Sequence, residues 1–179
     1  MDDIVIQAMA KWPHVPDCYG WLGLDARGNW YMRDERSQAA GLFDSGKSGA
    51  KGSRLEHAKL IDFMGRNYSA DALGQWFFQN GPQRVYVELQ AAPLIWRIQG
   101  DLSVKDHVGR NACVMHCLLD ELGHLYLQTN TGFGLVHSQD MTLAAEAVEQ
   151  GLWVPQDTLQ GHLPDQFGFI KSPQTQQKI

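Results

Sequence analysis

Apolar and polar positions alternate over short stretches along much of the chain, which is the pattern of half-buried β-strands. The clearest case is WFFQNGPQRVYVEL, residues 76–89, where two β-rich runs flank the turn-forming residues 80–83. The run PLIWRI from Pro93 and a further pair of runs around residues 129–132 continue the pattern. The sequence therefore predicts an α+β fold of mainly antiparallel β-hairpins.

Two segments between the strands have helical spacing instead. In the first, Ser53 and Glu56 match the S-x-x-E capping box, and Leu60, Ile61 and Met64 follow on one face. In the second, a helix would begin at Asp140 and end at Gly151, with these residues along one face: Ala144, Ala147, Val148 and Leu152. We expect each helix to cover one sheet.

The pattern D-x-x-G-x-(W/L)-(Y/F) occurs three times, beginning at Asp25, Asp71 and Asp120. An Asp carboxylate accepts local backbone N–H bonds and a Gly three residues later allows a positive φ, so each copy suits a tight turn. We expect the first and third copies to be hairpin tips and the second to start a strand after a helix. The repeat predicts two lobes, about residues 12–100 and 101–171, in one compact unit of residues 1–171, with a flexible polar tail over 172–179.

Composition and charge narrow the range of partners. The chain of 179 residues has 44% hydrophobic residues, and 15 Lys and Arg against 20 Asp and Glu give a net charge of −5. Without a basic cluster, nucleic-acid binding is not expected. The N-terminus, MDDIVIQAMAKWP, predicts a short helix rather than an export signal, and no window has the apolar length of a membrane span. Three cysteines suit free thiols in a reducing compartment, so we expect a cytoplasmic protein without a membrane partner.

The segment GLFDSGKS, residues 41–48, matches the P-loop pattern G-x-x-x-x-G-K-S, whose backbone N–H groups and lysine, here Lys47, bind nucleotide phosphates. A P-loop follows a buried strand and leads directly into a helix. Here the polar segment RDERSQAA precedes the motif and the glycine-rich SGAKGS follows it. We therefore interpret it as a flexible linker.

Cys113, His116 and Cys117 are residue types that bind zinc. On a strand, at ~3.3 Å per residue, the two cysteines would stand ~13 Å apart, and one ion could not bind both. We therefore expect structural, buried cysteines, with no metal and no cofactor. We also expect structural roles for two histidines. His57 would border the core, and His124, beside Asp120, would belong to a solvated hairpin tip.

The succession of DARGNWY, LEHAKLIDFM, DALGQWFF, QRVYVEL and APLIWRI, over roughly residues 20–140, resembles uncharacterised proteobacterial families known as domains of unknown function. The resemblance implies a β-rich fold of repeated motifs with a helix in each lobe, and a signalling or binding role. It implies no catalytic residues.

Six tryptophans are many for this length, and they suit either core packing or an exposed binding platform. Arg54, Arg84 and Arg97 lie on elements that should be neighbours, and with Trp76 they are our candidate ligand-binding residues. Three unrelated surface arginines are the alternative. The favoured function is a non-enzymatic binding or regulatory module for a small anionic ligand or a protein partner, bound in a groove between the lobes.

Two other classes of function are kept. A metal- or nucleotide-dependent hydrolase would use Cys113 and His116, or Lys47. A subunit that only assembles, for example as a homodimer, would expose an apolar patch. We assign no catalytic residues.

Overall fold

The computed structural model describes residues 1–176, which divide into two compact units. The first contains residues 1–25, 29–91 and 169–176, and the second contains residues 26–28 and 92–168. The chain therefore passes from one unit to the other at Ala91–Ala92, and its C-terminal segment returns to the first unit.

The first unit is a six-stranded mixed sheet with helices. Its sheet has the order β3-β2-β1-β6-β5-β4, in which the β1–β6 pairing is parallel and the others are antiparallel. Its elements before residue 92 are α1 (Asp3–Lys11), β1 (Cys18–Leu24), β2 (Trp30–Met32), α2 (Glu35–Ala40), β3 (Ser53–Arg54), α3 (Ala58–Arg66), β4 (Tyr68–Ala70), β5 (Trp76–Asn80) and β6 (Gln83–Leu89).

The second unit is a seven-stranded mixed sheet. Its elements are β7 (Leu94–Ile98), β8 (Val104–Asp106), β9 (Asn111–Ala112), β10 (Val114–Leu119), β11 (Leu125–Thr129), β12 (Gly132–Val136), α4 (Met141–Glu149), β13 (Pro155–Asp157) and α5 (Leu163–Phe167). The sheet order is β13-β10-β11-β12-β7-β8-β9. The β7–β12 and β10–β13 pairings are parallel. After this unit, α6 (Pro173–Gln176) follows in the C-terminal segment of the first unit.

The two sheets share one topology. Read from one edge, β3-β2-β1-β6-β5-β4 of the first unit corresponds strand by strand to β9-β8-β7-β12-β11-β10 of the second, which adds β13 at the edge. In each sheet, two antiparallel three-stranded sets join through a central parallel pair. The α+β class is confirmed, whereas the mainly antiparallel description holds only in part, because parallel pairings lie at the centre of both sheets.

Each unit has an aromatic core. In the first, Trp30 contacts Tyr68 edge-on with ring centroids 5.1 Å apart, and α3 packs its Phe63 against Phe78 of β5 at 5.6 Å. In the second, Trp96 is fully buried and donates its indole N–H to the Leu127 carbonyl at 3.0 Å. Burial of such large rings accounts for much of the hydrophobic stabilisation of a small unit.

The D-x-x-G segments form one recurring turn. In each, an Asp oxygen accepts the backbone N–H four residues later, and the second oxygen accepts the side chain of that same residue. A fourth turn of this kind begins at Asp106, whose carboxylate accepts the backbone and guanidinium of Arg110. The aspartates are therefore structural, since each satisfies donors that the turn leaves unpaired.

Three local predictions need correction. The copy at Asp71 joins the antiparallel strands β4 and β5 and is a hairpin like the others; β4 has only three residues, too few to show alternation. Ser53 and Glu56 form no capping box, because Ser53 pairs with Met32 in the sheet, and the exposed His57 caps α3 through Nδ1. Asp140 precedes α4 as predicted, but its carboxylate makes no cap bond because it binds Arg97 and the Ile98 N–H instead.

The segment with the P-loop pattern is an ordered loop. Phe43 is buried, and its ring occupies the space where a Cβ on Gly23 would stand. The Gly41 and Ala50 carbonyls accept hydrogen bonds from the buried Arg33 at 2.6 and 2.9 Å. Turns follow the motif instead of a helix, so the strand–loop–helix geometry that a P-loop needs is absent from residues 41–57.

Residues 172–176, part of the predicted flexible tail, make hydrogen bonds to the first sheet. Glu88, a buried residue of β6, accepts hydrogen bonds from the Ser172 hydroxyl and, at 3.0 Å, from the Gln174 backbone N–H. The Leu89 N–H donates to the Lys171 carbonyl at 2.7 Å. Polar groups of this segment thus form hydrogen bonds with buried polar groups of the first sheet. Residues 177–179, the rest of the predicted tail, lie outside the described residues.

Candidate functional site

The structure places the candidate ligand-binding residues on different elements and in both units. Arg54 lies on β3 and Arg84 on β6 of the first sheet, separated by β2 and β1. Three strand spacings of about 4.8 Å put the two backbones about 14 Å apart. Arg97 lies on β7 in the second unit.

The Arg97 guanidinium is already neutralised. Its Nε and Nη2 contact the Asp140 carboxylate at 2.6 and 3.1 Å, and the Ile98 backbone N–H donates to the same carboxylate. Burial alone would raise the pKa of Asp140, but these donors outweigh it and hold that pKa below its ordinary value. Arg97 therefore has a structural partner.

The contacts of Trp76 and the position of Arg54 are explained by the sheet alone, without a ligand. The half-buried Trp76 packs on the Tyr68 ring at 4.7 Å and so extends the core of the first unit. Arg54 is exposed and pairs with Tyr31 in the antiparallel β2–β3 register. Neither residue lines the cleft described next.

Arg84 lies on a different kind of surface. Its guanidinium lies over the Phe77 ring, 4.8 Å from the centroid, and also interacts with the Tyr86 hydroxyl. Tyr86 itself stacks on Tyr19 at 4.4 Å and donates its hydroxyl to Asp71. No ion pair to Arg84 occurs among residues 1–176, so a charge held in place by aromatic contacts has no acidic partner there.

A cavity of about 620 Å³ opens beside Arg84, and we call it the Arg84 cleft. Its walls are the end of α1, the loop of residues 12–17 and the β5–β6 hairpin. Four polar or charged residues line it: His14, Asp17, Gln79 and Arg84. The remaining wall is apolar, with Met9, Trp12, Val15 and three prolines.

Several contacts hold the walls in place. Arg66 of α3 binds the Asp2 carboxylate with two nitrogens at 3.1–3.2 Å, and the Asp2 N–H donates to Asn67 at 2.8 Å, which fixes the start of α1. The Gln83 side chain donates to the Pro16 carbonyl at 3.0 Å and ties the loop to the hairpin. The cleft is therefore built from segments that are more than sixty residues apart in sequence.

Three of the polar residues lie on or next to neighbouring strands. Gln79 of β5 is the cross-strand partner of Arg84 in β6. Cys18, the first residue of the parallel β1, pairs with Val85, and Asp17 immediately precedes it on the other side of β6. Asp17, Arg84 and Gln79 all line the cleft. Like Arg84, the exposed Asp17 has no ion-pair partner within residues 1–176.

Gln79 is an incomplete hydrogen-bonding group. Its side chain is almost fully buried, and Nε2 donates to the Gly81 carbonyl at 2.9 Å. Its Oε1 accepts no hydrogen bond from the described residues. A buried carbonyl without a donor destabilises the folded state by about 1–3 kcal/mol, and such exceptions are uncommon in folded proteins.

Cys113, His116 and Cys117, the residue types that bind zinc, belong to no cluster of potential metal ligands within residues 1–176. Cys113 is exposed just before β10, Cys117 is buried, and no group of three or more potential ligands occurs within residues 1–176. Burial raises the pKa of Cys117 to about 11, so this side chain is a protonated thiol at neutral pH when no metal is bound. The expectation that both cysteines are buried holds for Cys117 alone.

The pair of Asp120 and His124 belongs to the hairpin turn. His124 Nδ1 lies 2.9 Å from Asp120 Oδ2, which also accepts the Tyr126 hydroxyl at 3.2 Å. The His124 side chain is about half exposed. These contacts repeat the turn geometry at Asp25 and Asp71, so they do not by themselves indicate acid–base chemistry.

Comparison with known proteins gives a family. A family model named DUF2944, described as "Protein of unknown function (DUF2946)", matches residues 1–174. The chain belongs to this DUF2944 family. The expected resemblance to uncharacterised families is thereby confirmed at the level of a family of unknown function.

Two solved structures are similar to the DUF2944 chain. One is a DUF1285 family protein from Silicibacter pomeroyi DSS-3, at 12% identity and a TM-score of 0.49 over 82% of this chain and 84% of that one. The other is a DUF1285 family protein from Shewanella baltica OS155, at 16% identity and a TM-score of 0.46 over 70% of this chain and 91% of that one. No curated protein matches the chain. Within residues 1–176, none of the helices has the length and apolar character of a membrane span.

Sequence reasoning selected Arg84 but missed the rest of its site. Trp12, His14 and Asp17 lie in a loop without periodicity, and nothing in the sequence links that loop to β5 and β6. A partial signal was available, because two aromatic residues and an arginine alternate along QRVYVEL and the preceding WFFQN. That alternation places Phe77, Arg84 and Tyr86 on one face of the hairpin.

Proposed function

We propose that the protein is a non-enzymatic binding module that holds a small anionic ligand in the Arg84 cleft. The observation that carries the proposal is the Arg84 guanidinium itself, which is fixed over Phe77 beside a 620 Å³ cavity and has no ion-pair partner among the described residues. A guanidinium offers a planar fork of N–H donors that fits a carboxylate or a phosphate.

The surroundings favour ligand binding over a purely structural role. The Arg97 guanidinium, in contrast, is already bound to the Asp140 carboxylate. Arg84 lies over the aromatic face of Phe77 instead and has no ion pair among the described residues, which leaves its N–H donors available. Clefts with an apolar wall and a few convergent polar groups are the usual form of small-molecule sites.

A thermal-shift comparison tests the proposal. The panel is inorganic phosphate, citrate and 3-phenylpropanoate, applied to the wild type, Arg84→Ala and the matched control Arg36→Ala, an exposed arginine of α2 outside the cleft. Ligand binding to the folded state raises the unfolding midpoint. We expect at least one anion to raise the midpoint of the wild type and of Arg36→Ala, but not that of Arg84→Ala. An equal rise in Arg84→Ala would contradict the proposal.

A further inference from the structure

The Arg84 cleft presents two opposite charges side by side. Asp17 immediately precedes β1, whose first residue Cys18 pairs with Val85, the neighbour of Arg84 in β6, and both charged residues line the same cavity. Neighbouring opposite charges on a surface commonly form an ion pair, yet no contact within 4.0 Å joins these two. Asp17 has no hydrogen bond from any described residue, and Arg84 lies over the Phe77 ring.

Two groups held apart in this way match a ligand that carries both charges. An α-amino acid has its carboxylate and its ammonium on one carbon atom, so it can reach an arginine and an aspartate from adjacent strands. The carboxylate would meet the Arg84 fork and the ammonium would meet the Asp17 carboxylate. Both contacts are charge-assisted hydrogen bonds, the stronger class of hydrogen bond.

The apolar part of the cleft indicates what kind of side chain the ligand carries. Trp12 is about half exposed and lines the cavity together with Met9 and three prolines. Proline rings and an indole face are rigid apolar surfaces, and the flexible thioether of Met9 can adapt to a ligand, so a flat aromatic ring packs well against them. Lys11 lies over one face of the Trp12 ring at 4.6 Å, so a ligand would pack against the rest of the indole.

Gln79 adds a third polar group on the far side of Arg84. Its unpaired Oε1 can only accept a hydrogen bond, so it suits an N–H donor of the ligand rather than a carboxylate oxygen. That oxygen is closed to solvent in this structure, so a ligand reaches it only after a lining side chain moves. The argument therefore rests on Asp17 and Arg84.

We propose that the Arg84 cleft binds a zwitterionic α-amino acid with an apolar, aromatic side chain, whose carboxylate contacts Arg84 and whose ammonium contacts Asp17. This inference rests on the proposed function and specifies its ligand class. It requires both charges of the ligand, whereas an anion site requires only one.

Calorimetric titration of the full chain with three related compounds tests the inference. L-phenylalanine has both charges, 3-phenylpropanoate lacks the ammonium, and 2-phenylethylamine lacks the carboxylate. We expect L-phenylalanine to bind at least tenfold more tightly than either analogue. Asp17→Asn should weaken L-phenylalanine at least fivefold and leave 3-phenylpropanoate unchanged or tighter, while Arg84→Ala weakens both acids.

The control for Asp17→Asn is Asp62→Asn, a change at an exposed carboxylate of α3 in the same unit that does not line the cleft. It should bind all three compounds as the wild type does. If 3-phenylpropanoate binds as tightly as L-phenylalanine and Asp17→Asn has no effect, the zwitterion inference fails and the anion site stands. If 2-phenylethylamine binds as tightly as L-phenylalanine, or if Arg84→Ala leaves all the affinities unchanged, both the zwitterion inference and the proposed anion site fail. If none of the three binds, the inference fails, and the phosphate and citrate responses decide the proposed function.

Discussion

At the scale of single residues, the three candidate arginines differ by what lies next to each guanidinium. Arg97 binds a buried carboxylate, Arg54 is exposed at an edge strand, and Arg84 lies over an aromatic ring beside a cavity. The residue type was evident from the sequence, but its neighbours were not. The different partners of the three guanidinium groups are therefore the reason for which we propose Arg84, rather than Arg54 or Arg97, as the ligand-binding arginine.

Removal of Arg97 should affect stability rather than binding. In Arg97→Ala the nearly buried Asp140 loses its ion-pair partner and keeps only the Ile98 N–H as a strong donor. Breaking a buried pair is strongly destabilising, but the Arg97 side chain is 45% exposed, so the effect is discounted to about 1–2 kcal/mol. Urea unfolding measures it. Arg54→Ala, at an exposed position, should stay within about 0.5 kcal/mol of the wild type, and equal losses in both variants would refute this assignment.

At the scale of elements, turns formed by residues close in sequence could be predicted, whereas strands formed by long-range pairing could not. The turns at Asp25 and Asp120 were predictable because the Asp and the Gly that form each turn are neighbours in sequence. The two-residue strand β3 was not, because Ser53 and Arg54 acquire their conformation from Met32 and Tyr31 across the sheet.

The D-x-x-G repeat predicted two lobes, but it did not predict the strand order that the two units share. The parallel pairs that join the two halves of each sheet connect strands more than thirty residues apart, so short-range patterns do not reveal them.

The central parallel pair of the second sheet allows a sharp prediction at Gly134. A Cβ there would stand 2.4 Å from the Leu94 carbonyl oxygen and 2.7 Å from the Trp96 indole nitrogen. Gly134→Ala must therefore push β7 and β12 apart, and we expect a loss of about 1–3 kcal/mol in the free energy of unfolding. Gly100→Ala is the control, because nothing lies within 4 Å of its added Cβ. Unchanged stability of Gly134→Ala would show that this contact is absent in solution.

At the scale of the whole molecule, the chain closes the first unit with its C-terminal segment. That segment packs against β6 through Glu88, and the buried Arg33 completes the polar network with backbone carbonyls and the Gln174 side chain. Composition alone suggested fraying for residues 172–176. The buried partners that order them belong to strands far away in sequence.

The Glu88 carboxyl should make stability depend on pH. Burial raises its pKa above the ordinary 4.5, against the opposing effects of Ser172, Gln174 and Arg33. A raised folded-state pKa means that the contribution is fully present at low pH and is lost as the pH rises through that pKa. As the pH rises above the ordinary carboxyl pKa of Glu88 and through its raised pKa, the wild type should lose more stability than Glu88→Gln does. Urea titrations at each pH measure the difference, with the exposed Glu35→Gln as control. Identical slopes for the wild type and Glu88→Gln would contradict this account.

The most direct test of the central claim is a calorimetric titration of 3-phenylpropanoate into the wild type, Arg84→Ala and Arg84→Lys. The wild type should bind the carboxylate, and Arg84→Ala should bind it at least tenfold more weakly. Arg84→Lys should fall between them, because it keeps the charge and loses the planar fork. Equal affinity in all three proteins would show that Arg84 does not hold the anion and would overturn the assignment of the cleft.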